Sequence, residues 1–316
     1  MRAYLIRRQR GDRSSPTTIM RSPTILIFVL VVLLCVVVVL LMEPSLSVGV
    51  SLIQLGFETS ASLMLNEWRD CMRANITKFR HSTPDEVWRS AYIPIVHCEA
   101  STRMAELDMK AFTNSDETKY AILPKTGESC NLVTIGVGQD TQAEIGLREA
   151  LGADHINFFG VDPIIDGNLE KYTQIGRFYP FAIGNSSEVG ESSVLTQGAY
   201  HTQNVIHIEM IVFLRNIANI KMIDHLWLDG EGAEYELFDY FYKNGKFDEN
   251  GITICQFNME MHEPNDARKS AIQSFLIRLF DDARFAFFRP VQATHLRLFF
   301  VNFADRACVA KYLQQR

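Results

Sequence analysis

The stretch Leu132-Val133-Thr134-Ile135-Gly136-Val137-Gly138-Gln139-Asp140-Thr141-Gln142-Ala143-Glu144 decides how the chain is read. Its first six residues form an apolar run interrupted only by a threonine and a glycine, the pattern of a short buried strand. Gly136 and Gly138 then allow the backbone to come close to a ligand. Thr141 to Glu144 has the spacing of a capping box, which predicts a helix running to about Leu151 with its free N–H groups beside the turn. Strand, glycine turn and helix in this order open an α/β sheet.

The alternation continues downstream. Residues Asn157 to Val161 read as a second strand that ends at Asp162-Pro163, and Phe181 to Gly184 as a third. Ile223 to Leu228 is a fourth strand ending at Asp229, followed by a helix from about Ala233 to Tyr242 with Gly245 as its stop. Ile252 to Met261 is a fifth, and Arg284 to Phe288 with Leu296 to Asn302 form an antiparallel pair.

Upstream the texture is helical. Leu63, Trp68, Met72 and Phe79 punctuate one segment, a second begins at Pro84 behind a Thr83 cap, and a third is expected from Glu99 to Phe112. No strand pattern precedes about Tyr120, so residues 43–119 are expected to form a helical stem or lid on an α/β domain over 120–316.

The run Thr24 to Met42 carries no charge. As a helix it spans roughly 28 Å, the thickness of a bilayer's hydrocarbon core. It is longer than a signal peptide's apolar region and ends in Leu41-Met42-Glu43-Pro44, a poor cleavage site, so a retained transmembrane helix (a signal-anchor) is expected. Arg2, Arg7, Arg8, Arg10, Arg13 and Arg21 precede it against Asp12 alone, which keeps residues 1–23 cytosolic and sends the rest across as a type II protein. The expected location is therefore the secretory pathway, endoplasmic reticulum or Golgi, as a single-pass membrane protein with a luminal catalytic domain.

A net charge of -6 argues against nucleic acid as partner, since such proteins carry basic surfaces. Cys35 lies in the apolar run; Cys71, Cys98, Cys130, Cys255 and Cys308 permit at most two internal disulfides and leave one thiol over. The sequons Asn75-Ile76-Thr77 and Asn185-Ser186-Ser187 would be glycosylatable in a lumen. His97, His155, His201, His225 and His295 form no recognisable ligand set, His207-x-Glu209 lacks partners, and no metal is expected.

Ligands of open α/β sheets bind beyond the carboxyl ends of the strands, so chemistry is sought there. Gly136, Gly138 and Asp140 follow the first strand. Asp162 ends the second, where a carboxylate can accept both ribose hydroxyls of a nucleoside. Asp229 and Glu231 flank a glycine at the end of the fourth, where they face a ligand or merely cap the helix. Along the fifth, Ile252, Ile254, Gln256, Asn258, Glu260 and His262 share one face that turns polar towards the carboxyl end.

From roughly Asn131 to Asn302 these segments resemble the FkbM family of methyltransferases. Asp229-Gly230-Glu231-Gly232-Ala233-Glu234 is similar to the family's Asp-x-Glu-Gly-x-Glu segment, and Glu260-Met261-His262 to its Glu-x-His strand end. The Ile135 to Gly138 turn and the Phe159 to Ile164 strand end are similar to its cofactor-binding half. The resemblance implies a Rossmann-like, seven-stranded methyltransferase sheet, S-adenosyl-L-methionine as cofactor, and methyl transfer to an oxygen of a small-molecule or glycan acceptor. It suggests Gly136, Gly138, Asp140, Asp162, Asp229 and Glu231 for cofactor or substrate binding, with His262 or Glu260 as general base beside Asp229. Two departures stand out. Thr134 occupies the usual place of an acidic residue, and Asp140 that of a third glycine. Two rival readings are a type II glycosyltransferase, which lacks its Asp-x-Asp motif here because Asp281-Asp282 is adjacent, and a non-catalytic pseudo-methyltransferase.

Overall fold

The structure is a computed structural model that describes residues 60–124, 127–196, 198–262 and 264–314. The basic tail, the apolar run 24–42 and the rest of the segment before residue 60 lie outside the described residues. Among the described residues no helix is long and apolar enough to cross a membrane.

Residues 60–81 form helix α1. Thr83 caps α2 (Pro84–Ser90) in a reciprocal capping box with Glu86, and Pro84 suits the first helical position, where no N–H is needed. Next comes α3 (Tyr92–Ser101), tied to α1 by the disulfide Cys71–Cys98. These helices bury their apolar stripe on the sheet: Trp68 is fully buried and meets Phe287 edge-on at 5.0 Å.

The helix expected from Glu99 to Phe112 instead ends at Ser101, and the chain enters a hairpin, β1 (Met109–Thr113) with β2 (Thr118–Ile122). The region 43–119 is therefore not wholly helical. Only Phe112 of β1 is buried, so the strand has no period-two apolar pattern that could announce it.

The sheet follows: β3 (Cys130–Ile135), α4 (Gln142–Leu151), β4 (Ile156–Val161), α5 (Asn168–Tyr172) and β5 (Arg177–Tyr179). Then β6 (Ala182–Gly184), β7 (Glu188–Thr196) and β8 (Ala199–Glu209) form a separate three-stranded sheet, followed by a turn of helix, α6 (Met210–Val212). Last come β9 (Met222–Leu228), α7 (Glu234–Phe241), α8 (Lys246–Glu249), β10 (Thr253–Met261), α9 (Asp266–Asp282), β11 (Phe285–Gln292), β12 (Leu296–Asn302) and α10 (Arg306–Cys308). The expected third strand at Phe181 to Gly184 thus belongs to the small sheet. The main sheet's edge is the three-residue β5, too short to carry a hydrophobic signature.

The seven strands lie in the order β11-β12-β10-β9-β3-β4-β5, and β12 alone runs against the others. This is the seven-stranded, mostly parallel α/β sheet implied by the resemblance. Apolar clusters cover both faces: Leu132 packs into one, Val133 and Ile135 into the other. The chain leaves β3 towards β4 and β5 and returns to β9 on β3's other side. The crevice of such a sheet opens at that reversal, beyond the ends of β3 and β9.

Candidate active site

At the end of β3 the backbone turns where only glycine fits. Gly136 has φ +82°, and a Cβ on it would lie 1.8 Å from the Asp229 carbonyl oxygen. Gly138 has φ +61° and faces open space. Asp162 braces this turn: Oδ2 accepts from the Val137 and Gly138 nitrogens at 2.9 and 3.3 Å, and Oδ1 from Ile164 at 2.8 Å. Burial raises its pKa and those N–H groups pull against the rise. The residue expected to meet a ribose is therefore first a clamp on the glycine turn, with acceptor capacity left on Oδ1.

The capping box expected at Thr141 does not form. Asp140 accepts from the Gln142 and Ser115 nitrogens at 3.0 and 2.9 Å, and Asn114 accepts from Ala143 at 2.8 Å. Asp140 and the β1–β2 turn thus satisfy one each of the N–H groups that were expected to be free for a ligand. Glu144 points inward instead, accepting from Thr134 Oγ1 at 2.9 Å while Tyr172 donates to Thr134 at 3.1 Å. Its Oε2 is buried without a hydrogen-bond partner, and burial pushes its carboxyl up to about 7, against the pull of Lys119. A carboxylate from α4 thus stands beside the strand position where the family's acid is replaced by Thr134.

The second half of the site grows from the ends of β9 and β10. Glu234, fully buried, accepts from the Gly230 and Gly232 nitrogens at 2.6 and 3.0 Å and shapes the Asp229 to Gly232 loop. In that loop Glu231 takes φ +53°, a left-handed conformation that a side chain rarely adopts. His262 directs Nδ1 to Glu234 Oε1 at 3.1 Å. Its Nε2 faces Asp229 Oδ1, Glu231 Oε2 and Glu260 Oε1 at 3.3, 3.6 and 3.7 Å. Glu260 gives its other oxygen to Arg297 at 2.7 Å, and buried Lys119 pairs with Glu117. Burial by itself lowers the His262 pKa, but the carboxylates of Glu234, Asp229 and Glu231 outweigh it and hold the ring at about 10.

Gly136, Gly138, Asp140, Asp162, Asp229 and Glu231 line one cleft, which opens between the main sheet and the small one. His262 and Glu260 stand behind Asp229 and Glu231. Gln256 and Asn258, on the same face of β10, have another use: their amides bond both ways with the backbone of Ile122 and Tyr120. Glu117, Lys119 and Glu144 also line the cleft and were not foreseen. The first two sit on the hairpin that the sequence did not reveal, and Glu144 was read as a cap. Glu234 was visible in the acidic segment, but nothing in the sequence marked it as the buried one.

The family model described as Methyltransferase FkbM domain matches residues 75–306, which begins within α1. A Caenorhabditis elegans protein is 30% identical over 100 residues, covering 32% of this chain, and the match spans 34% of that protein's length. Among solved structures, an rRNA-methylase described as putative, from Clostridium thermocellum, overlaps with a TM-score of 0.31 at 11% identity, covering 57% of this chain and 90% of that one. A SAM-dependent methyltransferase from Aquifex aeolicus overlaps with a TM-score of 0.28 at 9% identity, covering 58% and 85%.

Proposed function

The chain belongs to the FkbM methyltransferase domain family, and from that premise we propose that it methylates a hydroxyl of a small-molecule or glycan acceptor. The observation that carries this reading is the convergence of the glycine turn, Asp162 and the Asp229–Glu231 loop on one rim of the sheet. S-adenosylmethionine, the cofactor the family implies, supplies an activated methyl group. The residues present fit it. Gly138 leaves open the space a side chain would fill, Asp162 retains an acceptor for a sugar hydroxyl, and buried Glu144 offers an unclaimed oxygen to a cationic group.

The acceptor side of the cleft is acidic. Asp229 and Glu231 present oxygens that accept a hydrogen bond from a hydroxyl and fix its direction, and Tyr200 of β8 interacts with Glu231 from the opposite wall. Glu117, Asp140 and Asp162 add negative charge against Lys119 alone on the cleft wall, which disfavours anionic acceptors such as a phosphate backbone. Holding two reactants in line supplies roughly 7–11 kcal/mol of barrier reduction, the main contribution asked of the protein here.

Calorimetry on the purified full chain with S-adenosylmethionine and, separately, a nucleotide sugar tests the reading. Cofactor binding that weakens at least tenfold in Asp162→Ala supports it; binding of the nucleotide sugar alone overturns it in favour of a glycosyltransferase. We further propose that the catalytic domain is luminal, anchored by residues 24–42. Two disulfides, Cys71–Cys98 and Cys255–Cys308, suit an oxidising compartment. Exposed Asn185 would then carry a glycan, seen as a mobility shift on deglycosylation that Asn185→Gln reduces. An unshifted native chain argues for the opposite orientation.

A further inference from the structure

Four side chains at the rim of the cleft converge without satisfying one another. Glu234 already accepts two backbone N–H groups, so as a carboxylate it takes the His262 Nδ1 proton as a third. That leaves Nε2 of His262, a residue only 6% exposed, aimed at three carboxylate oxygens. The nearest of them, Asp229 Oδ1, is buried and has no hydrogen-bond partner. Glu260 is 4% exposed and turns Oε1 to the same point, beyond hydrogen-bond range. One ring nitrogen cannot serve three carboxylates, and the neighbouring cations are engaged: Lys119 with Glu117, Arg297 with Glu260.

The spacing has a simple reading. Nε2 stands 3.3, 3.6 and 3.7 Å from the three oxygens, and the donor atoms of Asp229, Glu231 and His262 all lie within 4.8 Å of one another. Bonds of about 2.1 Å arranged tetrahedrally around one ion set neighbouring donors about 3.4 Å apart. The geometry points to a divalent-cation site with Asp229, Glu231 and His262 as protein ligands, and Glu260 beside them, at the mouth of the methyl-transfer cleft. Glu234 is then the outer carboxylate that orients a ligand histidine through its second nitrogen, the usual companion of such a ligand. One imidazole with several carboxylates and no thiolate suits Mn²⁺ or Zn²⁺ and not Cu⁺.

The role of the ion, though not its binding, rests on the methyltransferase reading. A cation between Asp229 and Glu231 would draw the acceptor hydroxyl to it and weaken the hydroxyl's hold on its proton. No ligand spacing is visible along the chain because the ligands come from two strand ends, after Leu228 and around Met261, that only the sheet brings together.

The test uses the full chain in detergent, stripped with a chelator and then titrated with MnCl₂ or ZnCl₂ by calorimetry, with melting followed in parallel. Wild-type protein should bind one equivalent, with melting raised by roughly 5 °C or more at a hundredfold excess over Kd. Glu231→Gln, on a partly exposed side chain, should lower affinity at least tenfold while the stripped protein melts as wild type. Glu234→Gln should weaken binding by about 10–100-fold. Substoichiometric binding, or equal affinity in Glu231→Gln and His262→Gln, overturns the site. Cofactor titration of the stripped protein separates the two ideas. Cofactor binding without metal binding removes the ion and leaves the methyltransferase, and metal binding without cofactor binding does the reverse.

Discussion

Glu234 Oε1 lies 3.1 Å from His262 Nδ1 and 2.6 Å from the Gly230 nitrogen, so one buried carboxylate sets both the ring and the loop that carries Asp229 and Glu231. Glu234→Ala strips three donors of their acceptor and should cost about 3–5 kcal/mol, read from the urea midpoint. Glu234→Gln keeps one acceptor oxygen and should fall between. An alanine variant within about 0.5 kcal/mol of wild type would show that the loop holds itself.

The two glycines of the turn should respond differently to alanine. At Gly136 the added methyl meets the Asp229 carbonyl oxygen, so Gly136→Ala should fail to fold or melt far below wild type. At Gly138 it meets nothing, and the positive φ costs about 1–2 kcal/mol. Gly138→Ala should therefore fold while losing cofactor affinity. Unimpaired cofactor binding in that variant, measured by calorimetry, would remove the turn from the binding site.

The two disulfides close loops with sequence separations of 27 and 53 residues. Chain-entropy reasoning gives them about 3.5 and about 4 kcal/mol, respectively. Cys71→Ala with Cys98→Ala, and Cys255→Ala with Cys308→Ala, should each lower the melting temperature, the second pair slightly more. Buried Cys130 should resist alkylation in the folded protein, since burial lifts its thiol to about 11.

His225 of β9 is 1% exposed, and neither ring nitrogen has a hydrogen-bond partner. Burial depresses its pKa to about 4. The unfolded chain therefore takes up a proton that the folded one refuses as pH falls from about 6.5 towards 4. Stability is unaffected above that window and declines through it, by about 3 kcal/mol in all. His225→Phe should flatten this part of the stability profile, as measured by urea melts between pH 7 and 4.5. An unchanged slope would assign the acid limb to other groups.

Much of the main sheet could be read from the chain because β3, β4 and β9 are largely apolar runs followed by glycine or an acid, the residues a strand needs where it turns towards a ligand, and β10 alternates between apolar and polar residues. The strands missed were those whose pairing, and not their side chains, makes them strands. β1 buries one phenylalanine, β5 is three residues long, β7 buries only Val194 and β8 is mostly exposed. The same cause hid part of the site. Asp229, Glu231, Glu260 and His262 sit on legible strand ends, whereas Glu117 and Lys119 reach the cleft from the unseen hairpin. The polar turn of the β10 face was seen correctly but has two causes. Glu260 and His262 serve the cleft, while Gln256 and Asn258 answer to a backbone more than a hundred residues upstream.

Those two amides have a further effect. Each receives an N–H and returns one to a carbonyl, at Tyr120 and at Ile122, so the hairpin's inner border meets side chains that imitate a neighbouring strand. A border fastened in this way offers nothing to a stray strand from another molecule. It also makes the hairpin a removable fitting: substitution at Gln256 or Asn258 would unfasten it, and Glu117 and Lys119 with it, while the seven-strand ladder stays whole.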